Sequence, residues 1–324
     1  MMKKDENDLP DIISLGELLV EIMRPDKDVP HGIIGATYKG PYPSGAPAIF
    51  IDSAARLGDF YGLKTGFIGV VGNDEFGESI LKKLTRDKVD VSQIRISRNK
   101  TTGIAFNQYN SDGTRKFIFA AGAAGDTSPK DVKKEYFSNV KALHVMGSAL
   151  SISKSSRDAC YKAIKITKKM NPEAIISFDP NLRSEMLDIN IILKICRPVL
   201  KKTDILLPSG EEANMLTGLK NFEQSCIKLL EEGPSMVVLK KGSKGATLYT
   251  QKNKKGLTVP AFKVNEIDPT GAGDTFGGAF LIGILNDWKH EKALKFACAA
   301  GALKVKHFGP MPETSLNEVL SMLG

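Results

Sequence analysis

Short apolar segments alternate with amphipathic segments along most of this 324-residue chain. The run at 12–21 is typical of a buried strand leading into a loop, and 46–57 has apolar residues at helical spacing before Gly58. Parallel strands need such helical crossovers, so the pattern predicts an α/β fold with a doubly wound, mostly parallel sheet. Further strands are predicted at 65–71, 89–96, 142–146, 174–179, 205–207 and 236–240, and a hairpin at 246–259. Helices are predicted at 75–87, 189–200, 211–216, 222–232, 275–286 and 292–306, and one more helix follows the strand at 142–146 and ends at 170.

The pattern changes between 101 and 120, where two short alternating runs replace the strand-and-helix order. The runs 103–109 and 115–119 are joined by Ser111-Asp112-Gly113, and an Asp-Gly step between such runs indicates a hairpin. We expect this hairpin, with the stretch 33–39, to form a small sheet outside the main fold. The predicted organisation is one domain over 11–324, with lid inserts at about 22–44 and 97–122 and a disordered tail at 1–10.

Composition excludes few classes of protein. The net charge of +8 is spread along the chain, and with 7% aromatic residues no stacking platform for nucleic acid is evident. The four cysteines contain no Cys-x-x-Cys pair, which favours a reducing compartment over a disulfide framework or a zinc site. The N-terminal stretch is polar and no apolar run approaches the length of a membrane span, so we expect a cytoplasmic protein.

The segment 268–276 carries the clearest chemical signal. Gly271, Ala272 and Gly273 have almost no side chain, so their amides can approach an anion at the start of the helix that follows. Asp274 could then accept the proton of an attacking hydroxyl, as phosphoryl transfer requires. The alternative is an ordinary helix cap. No Gly-Lys dipeptide occurs in the sequence, which excludes a Walker A loop.

Four segments stand in order along the chain: Gly16-Glu17, Pro43 to Ala48, Gly69 to Gly77 and Asp268 to Asp274. Their order and spacing make the chain resemble the ribokinase-like sugar kinases, also called PfkB carbohydrate kinases. The resemblance covers nearly the whole chain and implies a Rossmann-like, ribokinase-like core, a small β lid over the sugar, and transfer of the γ-phosphoryl group of ATP to a sugar hydroxyl with Mg²⁺ present. It also implies that Asp274 is the catalytic base and that Gly271, Ala272 and Gly273 form the anion hole.

Other roles follow from the same resemblance. The resemblance assigns substrate binding to Glu21, Gly45, Ala46, Asn107, Arg183 and Asp268, ATP binding to Lys240, Gly242, Gly245, Thr270 and His307, and magnesium binding through water to Glu212. The residues themselves leave three alternatives open: a strand-to-strand turn at 240–245, a surface salt bridge for Arg183 and a solvated helix start for Glu212.

Three departures from the family pattern bear on the substrate. Ile49 and Ser209 stand where many relatives have asparagine, and Ala120 stands where kinases of acid sugars have a cation. A carboxylate substrate would then lack its natural partner, which favours a neutral sugar. The stretch 40–51 looks like that of tagatose and related ketohexose kinases. We therefore expect a kinase for the primary hydroxyl of a ketohexose such as tagatose or fructose; 2-keto-3-deoxygluconate, ribose and nucleosides remain alternative acceptors, and a non-catalytic sensor of the same fold is a further alternative.

Two expectations concern assembly and ions. Lid edges often pair in this family, and an unpaired β edge gives a physical reason, so we expect a homodimer through the lid. A monovalent-cation site beside the Asp268 loop is known in relatives, so K⁺ is a candidate cofactor.

Overall fold

A computed structural model describes residues 9–111 and 115–324, and it divides their strands between two sheets. The main sheet is built mostly from short, fully buried strands, as expected for parallel strands covered on both faces. The strands are β1 (Ile12–Glu17), β2 (Leu19–Met23), β3 (Lys39–Ser44), β4 (Thr65–Gly72), β5 (Val89–Ser97), β6 (Gly103–Tyr109), β7 (Arg115–Ala120), β8 (Ala142–Met146), β9 (Ile175–Asp179), β10 (Ile205–Leu206), β11 (Met236–Lys240), β12 (Ala246–Thr250) and β13 (Asn253–Val259).

The main sheet has the order β13-β12-β11-β10-β9-β8-β1-β4-β5. Its strands pair in parallel from β5 to β11, and the β12–β13 hairpin adds an antiparallel edge. The chain runs from β1 outwards to β4 and β5, then returns to place β8 on the other side of β1. This reversal opens a crevice at the carboxyl ends of β1 and β8, where ligands bind on such sheets. The predicted fold class is confirmed.

Helices cover both faces of this sheet. Successive residues of β1 alternate between the two cores, with Ile12 in one and Ile13 in the other. The first core contains residues of α1, α2, α8 and α9, and the second contains residues of α4, α5 and α7. The helix bounds are α1 (Ala46–Gly58), α2 (Glu75–Arg86), α3 (Gly147–Ser151), α4 (Lys154–Met170), α5 (Ile189–Leu200), α6 (Gly210–Thr217), α7 (Phe222–Leu230), α8 (Ala272–Leu285), α9 (His290–Lys304) and α10 (Leu316–Ser321).

The smaller sheet, with the order β3-β2-β6-β7, forms the lid. Its makeup differs from the sequence expectation, because the apolar run 12–21 splits at Leu18 and its second half, β2, enters the lid instead of continuing the core strand. The stretch 33–39 contributes only its last residue, at the start of β3. The predicted hairpin of β6 and β7 pairs as expected, although residues 112–114 of its turn lie outside the described residues.

The expected tail at 1–10 falls mostly outside the described residues. Its last two residues are ordered, since Leu9 packs against the second core and Pro10 is buried. In the part of the chain that the structure describes, no helix has the length and apolar content to cross a membrane. Cys160, Cys196, Cys226 and Cys298 are free and buried.

Candidate active site

A cavity lies between the lid and the carboxyl edge of the main sheet, and we call it the lid cavity. Its position follows from the topology, because β1 ends at Glu17 and passes directly into the lid strand β2. The loop that follows β9 and the start of α8 close its other sides. It is lined by Glu17, Leu19, Glu21, Gly45, Ala46, Ile49, Ala105, Arg115, Phe117, Phe119, Ser148, Arg183, Met186, Thr270, Gly271 and Asp274.

Two buried glutamates line the lid cavity. Glu17 is 2% exposed and Glu21 is 7% exposed. Ser44 Oγ donates a hydrogen bond of 2.7 Å to Glu21 Oε1, whereas the Oε2 atoms of both glutamates have no partner among the described residues. Burial raises the pKa of Glu17 to about 7 and raises that of Glu21. A buried carboxylate oxygen without a donor is costly, so this pair of oxygens suits a ligand that brings hydroxyl donors.

Two arginines line the same cavity from opposite sides. Arg115 comes from the lid strand β7, and Arg183 follows β9 of the main sheet. Each guanidinium carbon lies 5.8 Å from the ring centroid of Phe117. Because side chains alternate along a strand, Arg115 and Phe117 share the cavity face of β7, and Ala120 does not. Ala120 thus supplies no cation to the cavity, whereas Arg115 and Arg183 place two positive charges along its lining.

Asp274 sits in the first turn of α8 and is 8% exposed. Gly271 is the N-cap of this helix with φ 79°, a left-handed conformation, and a Cβ at this position would lie 2.7 Å from the carbonyl oxygen of Pro310. Burial raises the pKa of Asp274 to about 6, although Lys240, Arg183 and Arg115 act to lower it. The amides of the first turn of a helix lack intrahelical acceptors and suit an anion. A carboxylate and an anion-binding backbone thus occupy the same turn.

Lys240, at the end of β11, approaches the same loop. A Cβ added to Gly273 would lie 3.4 Å from Lys240 Nζ. The ammonium forms a salt bridge with Asp179, which ends β9 and is 1% exposed. Burial acts to lower the pKa of Lys240, but the charges of Asp179, Glu212 and Asp274 outweigh it and raise that pKa. Lys240 is therefore a fixed cation beside Gly273.

We call residues 268–274 the Asp268 loop. A second cavity opens on the other side of this loop, and we call it the α8–α9 cavity. Pro269, Ala272 and Gly273 line it, whereas Thr270, Gly271 and Asp274 line the lid cavity. The loop is thus a wall between two cavities. The α8–α9 cavity has a volume of about 470 Å³, and its remaining lining is largely apolar: Lys240, Gly242, Ser243, Gly245, Ala261, Phe262, Lys263, Val264, Glu266, Phe276, Cys298, Gly301, Ala302 and Val305.

Gly45 and Ala46 begin α1 at the lid cavity. Gly45 is the N-cap with φ 112°, and a Cβ there would lie 2.3 Å from the carbonyl oxygen of Glu17. Only glycine allows the helix to start this close to the end of β1. Ile49, one turn into the helix, adds an apolar surface to the cavity.

Four predicted site residues do not line the cavity expected for them. Asn107 is fully buried in the lid, and its Nδ2 donates to Tyr109 Oη at 3.1 Å. Asp268 is 1% exposed and supports the loop from behind, accepting hydrogen bonds from the amides of Thr270 and Gly309. Thr270, predicted to bind ATP, lines the lid cavity instead, and the exposed His307 lines neither.

Glu212 has a clear local role. It forms a capping box with Ser209 at the start of α6, where Ser209 N donates to Glu212 Oε2 at 2.7 Å. Leu182 N donates to its other carboxylate oxygen at 3.0 Å. Both oxygens are therefore held by backbone amides, and a part in magnesium binding stays a prediction.

Several residues of the site were not among the sequence predictions. Glu17, Ser148 and Asp179 stand at or just beyond the carboxyl ends of parallel strands, a position that could have identified them. Arg115 shares a face of β7 with Phe117, which alternation along the strand could have shown.

A protein-family model and solved structures both match this chain over nearly its whole length. A protein-family model described as pfkB family carbohydrate kinase matches residues 10–315. The crystal structure of an E. coli protein provisionally named Ribokinase II, in complex with ATP and Mg²⁺, is similar with a TM-score of 0.88 and 39% identity, covering 97% of this chain and 99% of that chain.

Two further comparisons concern ligands. A fructokinase double mutant from Vibrio cholerae, solved with fructose, ADP and a potassium ion, is 25% identical with a TM-score of 0.82, covering 98% of this chain and 99% of that one. A 5-dehydro-2-deoxygluconokinase from Clostridium perfringens is 29% identical over 93% of this chain and 88% of its own length.

Proposed function

Since the chain belongs to the pfkB family of carbohydrate kinases, we propose that it transfers the γ-phosphoryl group of ATP to the primary hydroxyl of a neutral ketohexose such as tagatose or fructose. The resemblance seen in the sequence is thereby confirmed at the level of the family, and the chain is a phosphotransferase with an alcohol acceptor. One observation carries the proposal: a single loop, 269–274, presents Asp274 to the lid cavity and Gly273 to the α8–α9 cavity.

The lid cavity supports a polyhydroxy acceptor. Glu17 and Glu21 each have one buried carboxylate oxygen without a partner among the described residues, and a sugar supplies the missing hydroxyl donors. The ring of Phe117 and the side chain of Ile49 offer apolar surfaces to the carbon skeleton of the sugar. The Vibrio cholerae fructokinase supports a ketohexose in particular, since it was solved with fructose.

The protein's part in the chemistry is positioning and proton transfer. The Asp274 carboxylate receives the proton of the acceptor hydroxyl, and its pKa of about 6 leaves it ionised at neutral pH and more basic than an exposed aspartate. The amides of Gly271, Ala272 and Gly273 lie at the positive end of α8 and stabilise negative charge on the phosphoryl group. Lys240 adds a fixed positive charge beside Gly273.

The α8–α9 cavity fits a nucleotide. Its apolar wall suits a purine base, and Lys240, Gly242 and Gly245 at one end suit phosphates. Mg²⁺ would neutralise charge on the phosphates when bound. Among the described residues no group of three or more His, Cys, Asp and Glu side chains could hold a metal by itself. Glu212, for which magnesium binding through water was predicted, already accepts hydrogen bonds from two backbone amides.

The test is an ADP-release assay with Mg-ATP against tagatose, fructose, psicose, ribose, 2-keto-3-deoxygluconate, 5-dehydro-2-deoxygluconate and nucleosides. The proposal expects the highest kcat/KM with a neutral ketohexose and loss of turnover in Asp274→Asn. A preference for ribose or a nucleoside would overturn the assigned substrate and leave the kinase assignment intact.

An acid sugar is the second candidate, and two arginines favour it. Arg115 and Arg183 could bind a carboxylate, and the Clostridium perfringens relative is named for an acid-sugar substrate. If this candidate is correct, Arg115→Ala raises KM for the acid sugar at least tenfold. Lys116→Ala, on the opposite face of β7, is the matched control and should leave that KM unchanged.

The homodimer through the lid also stays a prediction. The strands β3 and β7 are the edges of the lid sheet, and Ile118 on β7 is 52% exposed. Edge strands with exposed apolar residues favour pairing with a second copy. The cytoplasmic location likewise remains an expectation from the sequence.

A further inference from the structure

Lys304, the last residue of α9, has a fully buried side chain beneath the Asp268 loop. Its Nζ donates to the carbonyl oxygen of Asp268 at 2.8 Å and to that of His307 at 3.3 Å, and lies 3.5 Å from Asp268 Oδ2. Burial lowers the pKa of this ammonium, and the carboxylate of Asp268 opposes that effect. Fully buried lysines are rare because desolvating the charge is costly, so this one calls for an explanation.

The groups around the ammonium form the kind of shell that binds a hard cation. It consists of two main-chain carbonyls and one carboxylate, and oxygen atoms of these types are the usual ligands of such ions. The same carboxylate also accepts hydrogen bonds from the amides of Thr270 and Gly309, at 2.9 and 2.8 Å. Lys304 thus joins the segment before the anion-hole loop to the segment after α9.

The shell lies directly behind the anion hole. Asp268 is three residues before Gly271, which caps α8 and begins the anion-binding turn. A positive charge that draws the carbonyl of Asp268 inwards fixes the path of the backbone entering this turn, and it adds favourable potential for an anion on the other side.

The Vibrio cholerae fructokinase was solved with a potassium ion, and the family resemblance implies a monovalent-cation site beside the Asp268 loop. The residues of this chain do not fit an added monovalent ion at this shell, because the Lys304 ammonium already occupies the space among the carbonyl and carboxylate oxygens. We propose that Lys304 is a positioning residue whose ammonium replaces a monovalent cation behind the anion hole, so that this kinase works without one.

The first test uses the unmodified protein. With whichever acceptor the panel identifies, kcat and KM are measured with Mg-ATP in potassium chloride and in choline chloride at equal ionic strength. The proposal expects the two rates to agree within twofold. Activation by potassium of fivefold or more would overturn it.

The second test exchanges the tethered cation for a free one. Lys304→Ala should lower kcat at least 100-fold in choline chloride. Adding potassium or ammonium ions should then raise kcat of this variant at least tenfold. Lys295→Ala, an exposed position on the same helix, is the matched control and should show neither effect. A Lys304→Ala enzyme that stays fully active in choline, or that is inactive in every salt although folded, would contradict the proposal.

A third measurement needs no turnover and so separates this proposal from the assigned substrate. Melting temperatures are recorded while potassium chloride replaces choline chloride. Lys304→Ala, or Lys304→Ser if the alanine variant does not fold, should become more stable as potassium rises, whereas the unmodified protein should not respond. A potassium-dependent rise in the unmodified protein, or the lack of one in both variants, would count against a cation site at this position.

Discussion

The ionisation of Asp274 should oppose folding, and this cost can be measured apart from catalysis. Its carboxyl has a pKa of about 6 in the folded protein against an ordinary value of 3.8. At about 1.4 kcal/mol for each pKa unit, this difference corresponds to ~3 kcal/mol. The folded-state pKa is raised, so the cost is absent below the unfolded-state value and complete above about 6. In the variant Asp274→Asn the side chain is neutral at every pH, so this substitution removes the cost of ionisation.

We therefore expect Asp274→Asn to gain ~3 kcal/mol of unfolding free energy at pH 8 and about half of that at pH 5, while kcat falls about 10²- to 10⁴-fold. Urea denaturation at the two pH values measures the first effect, and ADP release measures the second. Asp74→Asn is the matched control. Partial burial acts to raise the pKa of that aspartate, but hydrogen bonds from Thr102 and Gly77 outweigh it and lower the pKa, so the variant should lose stability. An Asp274→Asn protein no more stable than the parent at pH 8 would refute the reasoning.

Three further predictions concern the pH profile, the acceptor and assembly. Since Asp274 and Glu17 have pKa values of about 6 and 7, kcat/KM should fall as the pH is lowered from about 8 to about 5, and a flat rate profile would contradict this. Glu17→Gln should raise KM for the sugar at least tenfold and leave KM for ATP unchanged, because Glu17 lines only the lid cavity; equal changes in both constants would count against its role. Ile118→Asp should convert a dimer to a monomer in light scattering, whereas Ile191→Asp, also exposed but on α5, should not; a monomeric parent protein would exclude the lid dimer.

Patterns within single elements predicted most of the fold. The predicted helix at 189–200 matches α5, because its apolar spacing lies within one element and does not depend on distant contacts. The prediction failed where neighbouring runs had the same local pattern but different partners. Residues 12–21 form one apolar run, yet β1 pairs with β4 and β8 while β2 pairs with β3 and β6. Strand pairing is a long-range property that hydrophobicity alone does not encode.

The sequence by itself determined the family, the α/β class and the loop with Asp274, because these depend on residues adjacent in the chain. Only the tertiary structure decided which groups surround that loop. Glu17 and Arg183 reach the lid cavity from strand ends far apart in sequence, and Lys304 meets Asp268 from the end of another helix. Packing of the sheet, the lid and the helices creates these contacts, and burial then shifts the pKa values on which the chemistry depends.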